Sequence, residues 1–289
     1  MGEQNEFDNA VRAKILSHAL PHIQNYNGKV VVVKYGGNAM TEPGLQESVM
    51  RDIALLTLVG VKVVLVHGGG PELDKELKAI GKKTEKIDGL RVTDEETASI
   101  AQMVLAGKVN KDLVRLLQNV GAKAIGLCGL DGGMIKTRQL DPKLGFVGEI
   151  EDIDIKPIET VFNAGYVPVI STVGADDEGN VYNINADSAA AAIAGWLKAE
   201  CLILMTNTPG VLKDVNDEDS LYSVLTSADL EGMIEDGSLE GGMIPKAICT
   251  IRSLEMGVKR VFIIDGRVKQ ALLIELLTDE GLGTQVTIK

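Results

Sequence analysis

Two lysines, one aspartate, one arginine and two runs of glycine are the residues of this chain most able to do chemistry. Lys34 closes the run KVVVVK and is followed almost at once by Gly36 and Gly37. Successive valines specify a strand, so the lysine stands at its carboxyl end, and the glycines open a turn in which main-chain N–H groups can approach a ligand oxygen. Ligands of open α/β sheets collect at that end of the strands. The pattern returns in VVLVHGGGPEL, where Gly68, Gly69 and Gly70 lead into a helix with Pro71 near its first position. A helix N-terminus behind glycines suits an anion. Neither turn fits G-x-x-x-x-G-K-[ST] or G-x-G-x-x-G, so these are not the familiar nucleotide fingerprints. The plainer reading of the first turn is a solvent-facing lysine followed by a tight bend. His67 reads more simply as a packed or capping residue than as a ligand or base.

Three further stretches carry candidates. In NINADS, read as a strand, Asn183, Asn185 and Asp187 share one face and Ile184 and Ala186 the other; alternatively Asp187 caps a helix beginning at Ser188. In EGGMIPKA, Gly241, Gly242 and Pro245 announce a helix start, which puts Lys246 in a first turn where the helix dipole disfavours a cation. A residue placed against its local preference hints at function. In KIDGLRVTDEET, Arg91 precedes a capped, acidic helix start. It can grip a carboxylate through two parallel hydrogen bonds or pair with Asp94 or Glu95.

These residues need a scaffold, and its outline is legible. KVVVVK, VKVVLVH, AKAIGL, YVPVIS, CLILMT and RVFIID read as strands separated by helical stretches, including helices near 45–59 and from Pro71. Continuous β-branched runs mark strands covered on both faces. The expected fold is α/β: a three-layer α/β/α sandwich with a largely parallel central sheet and two lobes. Between 130 and 155, GMIKTRQL and GFVGEIEDI predict a hairpin or antiparallel excursion. Before the first strand a helix is expected over 5–20, with Phe7, Val11 and Ile15 on one side and Leu16, Leu20 and Ile23 on another. Pro21 should kink or end it. Apolar residues on two faces make it a candidate oligomer contact or a plain packing helix. The organisation expected is an extension over 1–27, a first lobe over 28–199 and a second over 200–289.

Composition bounds the function. The 289 residues carry a formal charge of −12 and are 45% apolar with few aromatics. That balance argues against a general nucleic-acid binder, and leaves capture of any anionic substrate to a few placed cations and N–H groups. Cys128, Cys201 and Cys249 are widely spaced among apolar neighbours and read as buried thiols of a reducing compartment. The opening MGEQNEFDN has neither the basic region nor the apolar run of a signal peptide, and no Ser or Thr at position 6 for myristoylation. No apolar run approaches a membrane span. The expectation is a cytoplasmic protein with no membrane or nucleic-acid partner.

Taken in order, KYGG, HGGG, DGLRVTD, NINAD and GGMIPK resemble the acetylglutamate kinases of the amino-acid kinase family, over nearly the whole chain from about residue 29. The resemblance implies transfer of the γ-phosphoryl group of MgATP to the side-chain carboxylate of N-acetyl-L-glutamate, giving N-acetyl-L-glutamyl 5-phosphate for arginine biosynthesis. On it, Lys34 and Lys246 would stabilise charge on the transferring phosphoryl, with Asp187 holding both. Gly36, Gly37, Gly68 and Gly69 would offer N–H groups to phosphate. Arg91, Asn183, Asn185 and Gly69 would line the acetylglutamate site in the first lobe, and Thr206, Gly210, Gly242 and Met243 would meet the nucleotide in the second. No dedicated metal cluster is evident, so Mg²⁺ would arrive on the ATP phosphates.

The N-terminal helix and ALLIELLTDEGLGTQV resemble the longer, arginine-inhibited hexameric members. This implies Glu275, Gly281 and Gly283 as effector residues for L-arginine, a homohexamer, and the PII nitrogen-signalling protein as a partner of some such enzymes. Departures exist: members often carry Asp where Asn207 stands, and a histidine where Gln270 stands. The chemistry agrees with the resemblance. A side-chain carboxylate with a reference pKa of about 4.3 is already ionised at neutral pH, so no general base is required, and positioning plus charge stabilisation carries the reaction. The alternatives are another kinase of this fold, such as one for an N-blocked aminoadipate, or a nucleotide or arginine sensor without catalysis.

Overall fold

The computed structural model describes residues 8–40 and 42–289. Its strands are β1 Val30–Tyr35, β2 Lys62–His67, β3 Lys86–Ile87, β4 Leu90–Arg91, β5 Ala124–Cys128, β6 Ile135–Gln139, β7 Gly148–Ile153, β8 Val167–Ser171, β9 Val173–Ala175, β10 Val181–Asn183, β11 Cys201–Thr206, β12 Val224–Thr226, β13 Arg260–Asp265 and β14 Thr284–Thr287. The helices between them are α1 Asn9–Tyr26, α2 Pro43–Leu58, α3 Gly70–Ala79, α4 Glu95–Gln102, α5 Asn110–Asn119, α6 Lys156–Asn163, α7 Ala186–Trp196, α8 Ser227–Glu235, α9 Met243–Glu255 and α10 Ala271–Leu277. A π-helical turn, Met103–Val109, joins α4 to α5.

Eight strands form one sheet in the order β12-β14-β13-β11-β1-β2-β8-β5. Neighbours are parallel except β13 and β14. Alternation along β1 shows why its valines run without a break. Val31, Val33 and Tyr35 join a core with α2, α3, α5 and α10, while Val32 points into a second core with α7, α8 and α9. Both faces are dry, so both demand apolar side chains. This is the expected three-layer α/β/α sandwich. The stretch expected to turn antiparallel does so: β6 pairs with β7, within a second sheet ordered β10-β9-β6-β7.

β1 lies at the centre, hydrogen-bonded to β2 on one side and to β11 on the other. The chain passes residue 199 between α7 and β11, so the segments before and after it share a continuous sheet. The carboxyl ends of β1, β2 and β11 consequently open together where the strand order reverses, the place at which such sheets hold ligands.

Two local expectations need correction. α1 continues through Pro21 to Tyr26 instead of ending there. The lost N–H bond is offset by the last turn, where Tyr26 is buried and Ile23 packs on the core. Val11, Ile15, Leu16 and Leu20 remain exposed, and Phe7 lies outside the described residues. Among the cysteines, Cys201 and Cys249 are buried, whereas Cys128 is only partly covered, at the open end of edge strand β5. No helix among the described residues is long and apolar enough to cross a membrane.

Candidate active site

The strand ends around β1 enclose a cavity of about 250 Å³. Its wall includes Lys34, Gly36 and Gly37 from the turn after β1, Gly68 and Gly69 from the turn after β2, Arg91 from β4, and Asn183 and Asn185 from the approach to α7. Residues far apart in sequence thus meet at one opening. Thr206 ends β11, Gly210 packs against Thr284 and Leu221, and Gly242 and Met243 begin α9, so these four lie outside the cavity wall.

Asp187 is the electrostatic centre. Lys34 Nζ lies 2.9 Å from its Oδ1 and Lys246 Nζ 3.2 Å from its Oδ2. The Lys34 contact is an ion pair by distance, but its angle leaves buried Oδ1 without an aligned hydrogen bond. Burial raises the affinity of this carboxyl for a proton; the two ammonium groups together outweigh it and hold the pKa below the usual carboxylate value. With two cations and one anion the cluster keeps one net positive charge. Lys34 is therefore not the solvent-facing residue of the plainer reading, since its side chain is only 11% exposed. Gly36 makes room for it: a Cβ there would sit 2.9 Å from Lys34 Nζ. Gly37 has φ +66°, and a Cβ would press on Asn207 Oδ1 at 2.7 Å.

The NINADS stretch does not form one strand face. β10 stops at Asn183, and α7 begins at Ala186 because Asn185 caps it, its Oδ1 accepting from the N–H groups of Asp187 and Ser188 at 2.9 and 3.1 Å. Asp187 is thus neither a strand residue nor the cap. It occupies the first turn of α7, where the helix dipole favours its charge. Lys246 occupies the first turn of α9 as expected, with Asp187 in place of water as its counter-charge.

Arg91 is buried and donates to Asp74 on α3, Nη1 to Oδ1 2.5 Å. Its partner is not Asp94 or Glu95; Asp94 instead caps α4 through the N–H of Thr97 and binds Lys82. The sequence reading missed Asp74, whose contact spans 17 positions. It also missed Leu105, which the π-helical turn brings onto the cavity wall. Neither has a local signature. His67 is fully buried, with Nδ1 2.7 Å from Gly68 O and Nε2 3.1 Å from Asn110 Nδ2, the packed role expected of it.

Away from this cavity, Glu275 closes a turn. Its Oε2 accepts from the N–H groups of Leu282 and Gly283, and Gly281 leaves room for Oε1. Among the described residues no group of three or more His, Cys, Asp or Glu could hold a metal ion.

A cationic cluster beside two glycine turns and a buried arginine can bind a phosphorylated group and a carboxylate side by side. Comparison with known proteins agrees. The family model described as "Amino acid kinase family" matches residues 29–265. The chain belongs to the amino acid kinase family. Within that family, acetylglutamate kinase of Brachyspira hyodysenteriae is 54% identical over 278 residues, covering 96% of this chain and 96% of the relative. Acetylglutamate kinase of Clostridium kluyveri is 49% identical, covering 95% and 98%. Among solved structures, N-acetylglutamate synthase from Neisseria gonorrhoeae, complexed with coenzyme A and N-acetyl-glutamate, superposes with a TM-score of 0.85 at 26% identity. That match covers 96% of this chain but only 63% of the synthase chain.

Proposed function

We propose that this chain transfers the γ-phosphoryl group of ATP to the side-chain carboxylate of N-acetyl-L-glutamate, releasing ADP and N-acetyl-L-glutamyl 5-phosphate, a step of arginine biosynthesis. The observation that carries it is the convergence of Lys34 and Lys246 on Asp187 at the strand ends, beside a cavity that also holds Arg91. The acetylglutamate kinase relatives, aligned over almost their whole length, support the choice of acceptor.

The acceptor carboxylate attacks phosphorus as the bond to the β-phosphate oxygen breaks, and no proton need move. The barrier lies in bringing two anions together in line. Lys34 and Lys246 neutralise charge that spreads over the equatorial oxygens, and Asp187 holds both ammonium groups where they are needed. The N–H groups of Gly36, Gly37 and Gly69 complete the cradle; that of Gly68, expected to join them, already donates to Tyr35 O at 3.2 Å. Such preorganised donors, paid for in folding, need not reorganise during the reaction. Arg91, oriented by Asp74, grips the α-carboxylate, while Asn183 and Asn185 flank the acetylated end. ATP is taken with Mg²⁺ on its phosphates, where the ion offsets charge.

The nucleotide half is assigned to 200–289, with Thr206, Gly210, Gly242 and Met243 near the base and sugar, and the acceptor half to 28–199. The exposed apolar residues of α1 support a role for 1–27 in a homohexamer. The Glu275–Gly281–Gly283 turn is the candidate site for L-arginine, and the PII protein is a candidate partner. Free thiols at Cys201 and Cys249 fit the cytoplasm.

The test is trapping with hydroxylamine, which converts an acyl phosphate to a hydroxamate. ATP-dependent hydroxamate is expected with N-acetyl-L-glutamate and much less with glutamate, aspartate or N-acetyl-aminoadipate. A better yield with the longer acid would reassign the acceptor, and none with any carboxylate would make the chain a sensor.

A further inference from the structure

The turn after β2 is held from behind by a buried pair that the proposed chemistry does not use. Asn110, the first residue of α5 after the π-helical turn, is fully buried and reaches three strands, β2, β8 and β5, at once. Its Nδ2 lies 3.1 Å from His67 Nε2, 2.8 Å from Val169 O and 3.2 Å from Leu127 O, and Lys111 Nζ donates to its Oδ1 at 3.0 Å. The Asn110 amide has two hydrogens for these three neighbours, so it is the Gly68 carbonyl, which can only accept, that puts the proton of the neutral ring on Nδ1 and leaves Nε2 as an acceptor facing Asn110. Nδ1 in turn donates to Gly68 O at 2.7 Å. Burial lowers the pKa of His67 to about 4, keeping the ring neutral and this tautomer in place near neutral pH.

The consequence lies in the next peptide. No peptide bond among the described residues is cis, and in a trans peptide the C=O and the following N–H point in opposite directions. Anchoring Gly68 O on a buried ring therefore turns the N–H of Gly69 away from the core, on the side where Gly68 and Gly69 line the cavity. The described residues offer that N–H no acceptor. The same π-helical turn closes in from the other side: a Cβ on Gly69 would sit 2.5 Å from Leu105 Cδ2. π-turns recur at functional sites; here the turn puts Leu105 against the glycine and Asn110 behind the histidine.

We propose that His67 and Asn110 are positioning residues that lock the Gly68–Gly69 peptide, so that the N–H of Gly69 is aimed in advance at the transferring phosphoryl oxygens. This rests on the reading of the cavity as a phosphoryl-transfer site. A glycine turn left to itself samples several peptide orientations, and each turnover would have to select the right one.

The experiment compares wild type, His67→Phe, His67→Asn and Asn110→Leu in the hydroxamate assay, with thermal melts to report folding. His67→Phe keeps the ring but loses both nitrogens, and kcat should fall about 10- to 100-fold, somewhat below the loss of a whole oxyanion donor. KM for ATP and for acetylglutamate should stay within about twofold, because a charge that develops late is served by a donor aimed early. His67→Asn places an amide N–H where Nδ1 stood and should recover most of kcat, though its melt is no better than that of the Phe variant. Asn110→Leu removes the amide behind Nε2 and loosens the ring without taking away the Nδ1–H donor, and should fall between them. Overturning results are an active wild type with an unaltered His67→Phe kcat, or Phe and Asn variants reduced alike in proportion to their folded fraction. A wild type that traps no hydroxamate with any acid defeats the phosphoryl-transfer reading itself and takes this proposal with it.

Discussion

Two carboxylates are buried at helix starts, and the protein treats them oppositely. Asp187 sits in the first turn of α7 between two lysines, and its net pKa shift is downward. Asp52, on α2 and 1% exposed, faces the main-chain N–H groups of Leu272 and Leu273 in the first turn of α10, which favour its charged form. It makes no ion pair among the described residues, and its Oδ2 has no hydrogen-bond partner. Burial pushes it up to about 7, against the pull of the two N–H groups. Desolvation is the larger single influence on both. What differs is the presence of full cations: main-chain dipoles at a helix end soften the cost of burying a charge, whereas two ammonium groups reverse it. The site spends its lysines on keeping one anion charged, and the anion in return fixes where the lysines stand.

The strongest way to break this contrast is to remove the cations. Lys34→Met and Lys246→Ala should each lower kcat by about 10²- to 10³-fold in the hydroxamate assay, with a smaller effect on KM for ATP. In the double variant Asp187 is left in the position of Asp52, and its carboxyl should titrate near neutrality by ¹³C NMR of labelled aspartate. Near-normal turnover in both single variants would show that the lysines serve Asp187 alone and not the reaction.

The unpaired carboxylate gives the next effect, on stability. A folded pKa of about 7 for Asp52 exceeds the unfolded value of about 3.8, so between them the folded chain binds the extra proton. Stability is then fully present below the unfolded pKa and is lost as pH rises towards the folded one. From pH 5.5 to 7.5 the loss should be about 2 kcal/mol. Asp52→Asn cannot lose that proton, so its melting temperature should gain on wild type as pH rises across this window. Parallel curves for the two proteins would mean that Asp52 is ionised throughout and that the contrast is false.

How much of this could be read from the chain depends on how local the cause is. The valines before Lys34 betray a strand covered on both faces, because each face imposes its own demand, and the glycines after 130 betray the antiparallel excursion. The lysines were legible as candidates because a cation at a strand end or in a helix first turn offends local preference. Asn183, Asn185 and Asp187 were misread as one face because alternation was extended across a boundary where Asn185 had already begun a helix. Pro21 misled for the opposite reason, since burial of Tyr26 overrode a local breaker. Asp74 and Asn110 were not legible at all. Each is an ordinary helix residue until the fold brings it to Arg91 or His67.

Arg91 offers an intermediate case between the two aspartates, a buried cation whose partner is partly wet. The Arg91 side chain is 7% exposed and that of Asp74 41%. An anion so exposed is screened, so it orients the guanidinium more than it neutralises it, and charge remains for a ligand. Arg91→Lys keeps the charge and loses the fork. KM for acetylglutamate should rise about tenfold, equivalent to about 1.4 kcal/mol, with kcat changed much less. An unaltered KM would return Arg91 to a structural role, as a tie between β4 and α3.

The smallest effect separates what holds Asp187 from what Asp187 holds. Asn185 Oδ1 accepts from the N–H groups of Asp187 and Ser188, and an N-cap of this kind is worth about 1 kcal/mol. Asn185→Ala should lower stability by that amount and lower kcat only severalfold, because the lysines still pin the carboxylate from the other side. Asn185→Asp restores the cap and with it the melting temperature. It also places an anion on the cavity wall beside the proposed acetylglutamate, so KM should rise although stability returns. If activity instead follows stability through both variants, Asn185 acts solely as the cap of α7, and Asp187 owes its position to the helix as much as to its two cations.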